Sequence, residues 1–182
     1  MKIILASNSP RRKELLTAHN IAFEVIPSDI SEELNPNLSP VENVMSLAKQ
    51  KALDVYEKCK KQPILAADTV VVYNNEILGK PVDEQDAFRM LKLLSGKTHE
   101  VITGVAYILD NNVATSYEIS RVTFNQLTDE EIVEYIGTKE PMDKAGSYAI
   151  QGIGSKLVKS YEGEFDNIVG LPMKLVLKML KK

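Results

Sequence analysis

Short apolar runs alternate along the chain with segments in which apolar residues recur every three or four positions, and this alternation predicts an α/β fold with a mixed sheet. Residues 2–6 read as a buried first strand. Pro10 then takes a favoured first-turn position for a helix over residues 11–19. Residues 23–26 predict a second strand, followed by a polar loop through Glu32, Asn35 and Pro36. Ser39-Pro40-Val41-Glu42 is a capping box that opens a helix to about Lys58, because the Ser39 hydroxyl can accept an orphan amide while Glu42 reaches back. Residues 63–73 are strand-like, with Ile77-Leu78 pairing back across Asn74-Asn75.

Asp83 and Asp86 start a helix to Leu94 with Ala87, Met90, Leu91 and Leu94 at helical spacing. Residues 100–109 and 113–124 predict a long hairpin about Asp110-Asn111-Asn112. A second capping box, Thr128 to Glu131, opens a helix to Ile136, and residues 139–155 are rich in glycine and polar side chains. Residues 157–161 and 165–169 read as short strands about Glu162-Gly163, and Pro172 begins a last helix with Leu175 and Met179 in its apolar stripe.

Composition narrows the classes. With 182 residues, 44% hydrophobic and 26% charged, the chain can bury one sizeable core, which excludes a disordered or fibrous protein. A net charge of −3 gives no global basic field for a nucleic-acid backbone or an anionic membrane, so any phosphate recognition must be local. One cysteine, Cys59, permits no internal disulfide, and His19 and His99 stand far apart, which argues against zinc. The opening apolar run from Met1 to Ala6 is too short for a signal peptide, and no run approaches a membrane span, so a cytoplasmic protein is expected.

Three groups of residues could carry chemistry. Ser7-Asn8-Ser9-Pro10-Arg11-Arg12 lies between a strand and a helix, where free amides, hydroxyls and guanidinium groups can cradle an oxyanion such as phosphate. A solvated capped helix is the plain alternative. Asp68 interrupts the apolar strand residues 64–72, and its carboxylate is costly to bury without a cation, so it is expected at a strand end facing a cleft. A structural aspartate in a bend is the alternative there. Lys51 falls in the apolar stripe with Val44, Ala48 and Val55, where it either meets an anion or snorkels to water.

Lys80 sits on a proline-stiffened turn, and Glu32 and Glu33 offer carboxylates that, with Asp68, could hold Mg²⁺ or Mn²⁺. Gln151, beside Gly152 and Gly154, presents a donor and an acceptor suited to a base edge. There is no P-loop, no complete G-x-G-x-x-G and no evident serine or cysteine nucleophile with a histidine base.

Together Ser7-Asn8-Ser9-Pro10-Arg11-Arg12, Ala67-Asp68-Thr69, Gly79-Lys80-Pro81, the Glu140 to Gly146 segment and Val169-Gly170-Leu171-Pro172 closely resemble the Maf family, in the same order over nearly the whole chain. The resemblance implies one domain over residues 1–182, an α/β, two-lobed fold around a long mixed β-sheet similar to the inosine triphosphate pyrophosphatases, with the active site in the interlobe cleft. It implies hydrolysis of a nucleoside triphosphate to the monophosphate and pyrophosphate with a divalent metal.

By that resemblance Asp68 is the proton acceptor, Arg12, Lys51 and Lys80 face phosphates, and Glu32 lies near the metal. Ser7 and Ser9 would join the substrate site, and Arg11, Thr69 and Gln151 match positions that choose the base in the dTTP and UTP branch. Phe165 stands where the family commonly has tyrosine. The expected partner is a nucleoside triphosphate, with no nucleic acid and no membrane, and a homodimer is compatible with the sequence. Two rivals stay open: a nucleotide-binding regulator of septum formation without significant turnover, and a nucleotidyl transferase, which would require an acceptor.

Overall fold

Buried aliphatic residues fill β1 (Ile3–Leu5), which pairs in parallel with β2 (Phe23–Val25) and β3 (Ile64–Tyr73) in registers Ile3 to Phe23 and Ile4 to Ile64. The computed structural model describes residues 2–59 and 62–181; Met1 and Lys182, the ends of the expected domain, lie outside the described residues, as do Lys60 and Lys61. Among the described residues one mixed sheet of seven strands runs in the order β2-β1-β3-β5-β6-β7. Its further members are β4 (Glu76–Leu78), paired to β3, and the hairpin strands β5 (Thr98–Leu109) and β6 (Asn112–Phe124). The last, β7 (Val158–Glu162), is antiparallel to β6. The expected α/β fold with a long mixed sheet is thus present. The chain forms two compact units, one of Met1–Thr69, Thr103–Glu118 and Gly170–Lys182, the other of Val70–Ile102 and Ile119–Val169.

In the first unit β1 and the first half of β3 are buried on both faces, which is why they read as continuous apolar runs. Side chains alternate along a strand. Ile3, Leu5, Leu65 and Ala67 pack with Leu16 of α1 (Pro10–Ala18) and with Met173, Val176 and Met179 of α6 (Met173–Leu180). Ile4, Ala6, Ile64 and Ala66 pack instead with Ala48, Ala52 and Val55 of α2 (Pro40–Lys58). The same parity gives Asp68 to the α2 face and Thr69 to the α1 face. Helix α2 rests directly on β5: a Cβ built at Gly104 would stand 2.4 Å from the Val44 carbonyl oxygen.

In the second unit Asn74 and Asn75, both at positive φ, turn β3 into β4, as a tight hairpin demands. Helix α3 (Glu84–Leu94) is capped by the Asp83 carboxylate and α4 (Asp129–Gly137) by the Thr128 capping box. Short 3₁₀ turns form at Glu140–Asp143, Ala145–Ser147 and Gly152–Leu157.

Two expectations are corrected. Residues 165–169 form a helix, α5 (Phe165–Val169), and not a strand. A five-residue segment is too short for periodicity to distinguish the two, and the helical turn buries Asn167, Ile168 and Val169 in succession, with the Asn167 amide donating to the Val101 carbonyl and the Ser120 hydroxyl. Asp68 lies in the middle of β3 and not at its end. The apolar stripe expected of α6 is present: Met173, Val176 and Met179 are buried, and Leu175, half-buried, packs against the same core.

Candidate active site

Lys51 does not snorkel. The α2 stripe carries its stem under the sheet, and its ammonium stands 2.6 Å from Oδ1 of Asp68 and 2.7 Å from Oε1 of Glu32. The Lys51 and Asp68 side chains are each only 9% exposed, whereas that of Glu32 is 51% exposed on the loop before α2. A carboxylate in mid-strand is tolerable here because a cation from the helix above offsets its charge at hydrogen-bond distance.

On the other face Arg12, in the first turns of α1, gathers three segments of the same unit. Its Nε donates to the Gly170 carbonyl at 2.8 Å, Nη1 to the Ser7 hydroxyl at 3.1 Å and Nη2 to the Thr69 hydroxyl at 3.1 Å. Thr69 and Thr103 share a further hydroxyl bond of 2.9 Å. Burial pulls the Arg12 pKa below its ordinary value; the charges of Asp68 and Glu32 oppose that shift and Arg11 adds to it. Gly170 has φ +123°, a backbone state that a side chain would strain, so glycine there is what lets its carbonyl face Arg12.

Ser7 also accepts the Ser9 amide at 3.2 Å, and Ser9 takes the N-cap position of α1 without a side-chain cap bond. Arg11 is half-buried in the same turn. The first unit therefore carries Ser7, Ser9, Arg11, Arg12, Glu32, Lys51, Asp68 and Thr69, and joins Lys51 to Asp68 and Glu32, and Arg12 to Ser7 and Thr69. Lys80 and Gln151 belong to the second unit, and both are exposed. Thr103 and the Gly170 carbonyl were not among the candidates. A small polar side chain within the apolar run 101–108 is the signal that could have found Thr103, as a polar interruption of an apolar strand found Asp68.

Glu32 and Asp68 both contact the Lys51 ammonium, which brings two oxygen donors to one place. Among the described residues no group of three or more His, Cys, Asp or Glu could hold a metal by itself. The donor set fits Mg²⁺ or Mn²⁺, which take one or two carboxylates and complete their shell with phosphate oxygens and water.

A mixed sheet with a guanidinium on one face and a carboxylate-bound ammonium on the other defines the class: α/β proteins with paired charges set into the faces of the sheet. The chain belongs to the Maf family, whose description, Maf-like protein, matches residues 2–182. It is similar to the dTTP/UTP pyrophosphatase of Bacillus mycoides (strain KBAB4), 52% identical over 181 residues that cover 100% of this chain and 95% of that protein. Similarity to the dTTP/UTP pyrophosphatase of Bacillus cereus (strain B4264) is 51% over the same length and shares. Among solved structures it resembles a HAM1 protein from Coxiella burnetii, at 16% identity and a TM-score of 0.46 over 68% of this chain and 73% of that one. No helix among the described residues is long and apolar enough to cross a membrane.

Proposed function

We propose that this chain hydrolyses nucleoside triphosphates, dTTP and UTP foremost, to the monophosphate and pyrophosphate. The observation that carries the reading is the Lys51 ammonium held buried against Asp68 and Glu32. Apolar residues of similar size would pack a strand against a helix at no electrostatic cost, so a buried ion pair retained there points to chemistry. The named activity of relatives half identical over the whole chain supports the same conclusion.

In this reading Asp68 accepts a proton from the water that attacks the α-phosphorus. The bond from that phosphorus to the bridging oxygen breaks, and pyrophosphate leaves with the electron pair. Lys51 orients the Asp68 carboxylate and, with Arg12 and Lys80, offsets the roughly four negative charges of the triphosphate. Ser7 and Ser9 add hydroxyl donors. Glu32 and Asp68 would hold the divalent metal, which supplies further charge neutralisation at the phosphates. Gln151 is assigned, with Arg11 and Thr69, to the imide edge of thymine or uracil, whose acceptor, donor, acceptor pattern a side-chain amide can partly pair.

The reading takes residues 1–182 as one working domain, active on free cytoplasmic nucleotides and not on nucleic acid or at a membrane, with a homodimer compatible. The test is product analysis with purified protein, Mg²⁺ or Mn²⁺, and dTTP or UTP. Monophosphate plus pyrophosphate without an acceptor is expected. Orthophosphate plus a diphosphate would overturn the bond assignment, binding without turnover would favour a nucleotide-sensing regulator, and dependence on an acceptor would favour nucleotidyl transfer.

A further inference from the structure

Glu140 lies at the start of the segment 139–155, rich in glycine and polar side chains, yet nothing in the hydrolytic chemistry above uses it. Its carboxylate is half-buried and is the hub of a loop. Oε1 accepts the Gly154 amide at 2.9 Å and the Tyr135 hydroxyl at 2.9 Å, and Oε2 accepts the Ile153 amide at 3.1 Å. Tyr135, itself buried, accepts the Ala149 amide at 3.3 Å through the same hydroxyl. The backbone is thus held at residue 149 and again at residues 153 and 154. Gln151 stands between those two anchors, its side chain exposed.

The fit leaves no slack. A Cβ at Gly152 would meet Oε2 of Glu140 at 3.0 Å, and one at Gly154 would lie 2.4 Å from the Ala149 carbonyl and 2.5 Å from the Tyr135 hydroxyl. Lys144 closes the group from the other side by donating to the Glu140 carbonyl at 3.0 Å. Burial alone would raise the Glu140 pKa, and the bonds from Gly154, Tyr135 and Ile153, with the Lys144 charge, outweigh it and leave the pKa below its ordinary value. The group therefore stays an anion whose acceptors are turned inward to the loop, away from any ligand role of its own.

We infer that Glu140, with Tyr135, is a positioning residue for base selection: it fixes the backbone on both sides of Gln151 and so sets where the Gln151 amide stands. The inference rests on the proposed role of Gln151 in recognising a pyrimidine with an imide edge. A flexible loop would still carry Gln151, but its amide would have to be ordered each time a base bound, and that cost would appear in KM for the preferred nucleotide.

The experiment is a double-mutant cycle on base preference, comparing kcat/KM for UTP and for ATP in wild type, Glu140→Gln, Gln151→Leu and the double variant. Glu140→Gln keeps the size and one acceptor but turns an NH₂ donor toward an amide that also donates. It should lower the UTP-to-ATP ratio at least tenfold, through KM for UTP more than through kcat. In the double variant the ratio should be no lower than in Gln151→Leu alone. Tyr135→Phe, which keeps the ring and removes only the hydroxyl, should move the ratio the same way by less, and serves if Glu140→Gln fails to fold.

Hydrogen exchange gives a readout independent of turnover: the Ile153 and Gly154 amides should exchange at least tenfold faster in Glu140→Gln. An unchanged ratio in a folded variant, or losses that add in the double variant, would overturn the inference while leaving hydrolysis intact. Wild-type protein that does not hydrolyse UTP would instead overturn the proposed function, and unchanged exchange at the two amides would dismiss the anchor on its own.

Discussion

The Nζ of Lys51 lies 2.6 Å from Oδ1 of Asp68, so one residue of helix α2 and one in the middle of strand β3 are joined across the packed interior of the first unit. Asp68→Asn keeps the shape and an oxygen that can still accept from Lys51, and removes the basic carboxylate. Turnover should fall by on the order of 10² or more with the fold preserved. Pyrophosphate release, read beside near-ultraviolet circular dichroism, checks this; near-normal turnover in a folded variant would make Asp68 structural.

Lys51→Met should cost both activity and stability. It keeps much of the apolar stem but leaves Asp68 buried without its cation, a loss of about 3–5 kcal/mol when one partner of a buried pair is removed. Urea unfolding measures it. Combining Lys51→Met with Asp68→Leu should recover much of the stability and none of the turnover, which separates the role of the pair in folding from its role in chemistry.

Arg12→Lys tests the fork of donors. The guanidinium meets the Gly170 carbonyl, Ser7 and Thr69 in three directions at once, and an ammonium on a flexible stem cannot reproduce that geometry. Turnover should drop roughly tenfold or more at saturating metal, since charge is retained and positioning is lost. A variant with wild-type kcat/KM would show that charge alone suffices.

Gln151→Leu should lose the preference for UTP over ATP more than it loses stability, because a site built to pair an imide edge rejects a mismatch through its own unpaired groups. The ratio of kcat/KM for the two nucleotides is the measurement. If the ratio holds, base choice passes to Arg11 or to shape.

His99 predicts a pH dependence of stability in the second unit. It is 2% exposed, its Nε2 is 2.7 Å from the Tyr148 hydroxyl, and its ring meets Phe124 and Tyr148 edge-on. Burial pulls its pKa from 6.5 down to about 4. As pH falls below 6.5 the unfolded chain takes up the proton while the folded chain does not, so stability is full above 6.5 and declines toward pH 4. The loss approaches about 3 kcal/mol, from 1.36 kcal/mol per pKa unit. Urea midpoints at pH 7 and pH 4.5 should converge for His99→Phe relative to wild type; an equal pH slope in both would assign the acid sensitivity elsewhere.

What the sequence made legible was local. The caps at Ser39, Asp83 and Thr128 are set by side chains within three residues of the amides they satisfy, and each helix begins where its cap stands. Asp68 and Lys51 could each be singled out as a charge on an apolar face, but their pairing joins two elements, and nothing in either segment specifies it. The reach of Arg12 to Gly170 spans 158 residues, so only the folded chain displays it. Helix α5 was misread for the opposite reason: its signal is local but too short to carry a period. Tyr135 and Glu140 left no trace in hydrophobic patterning because what joins them is a polar hydroxyl-to-carboxylate bond, extended by the backbone amides of Ile153 and Gly154.

The close approach at Gly104 turns α2 into a lever. The helix bears on β5 at Val44, seven residues before Lys51, or about two turns and roughly 10 Å along the axis. A methyl group at position 104 would act as a shim under one end, and the displacement would be delivered at the ammonium, where a few tenths of an ångström separate a short ionic hydrogen bond from a long one. The hydrogen atom that stands in place of a side chain on β5 is in this sense a gauge for the contact between helix and strand, and through that contact for the distance between Lys51 and Asp68.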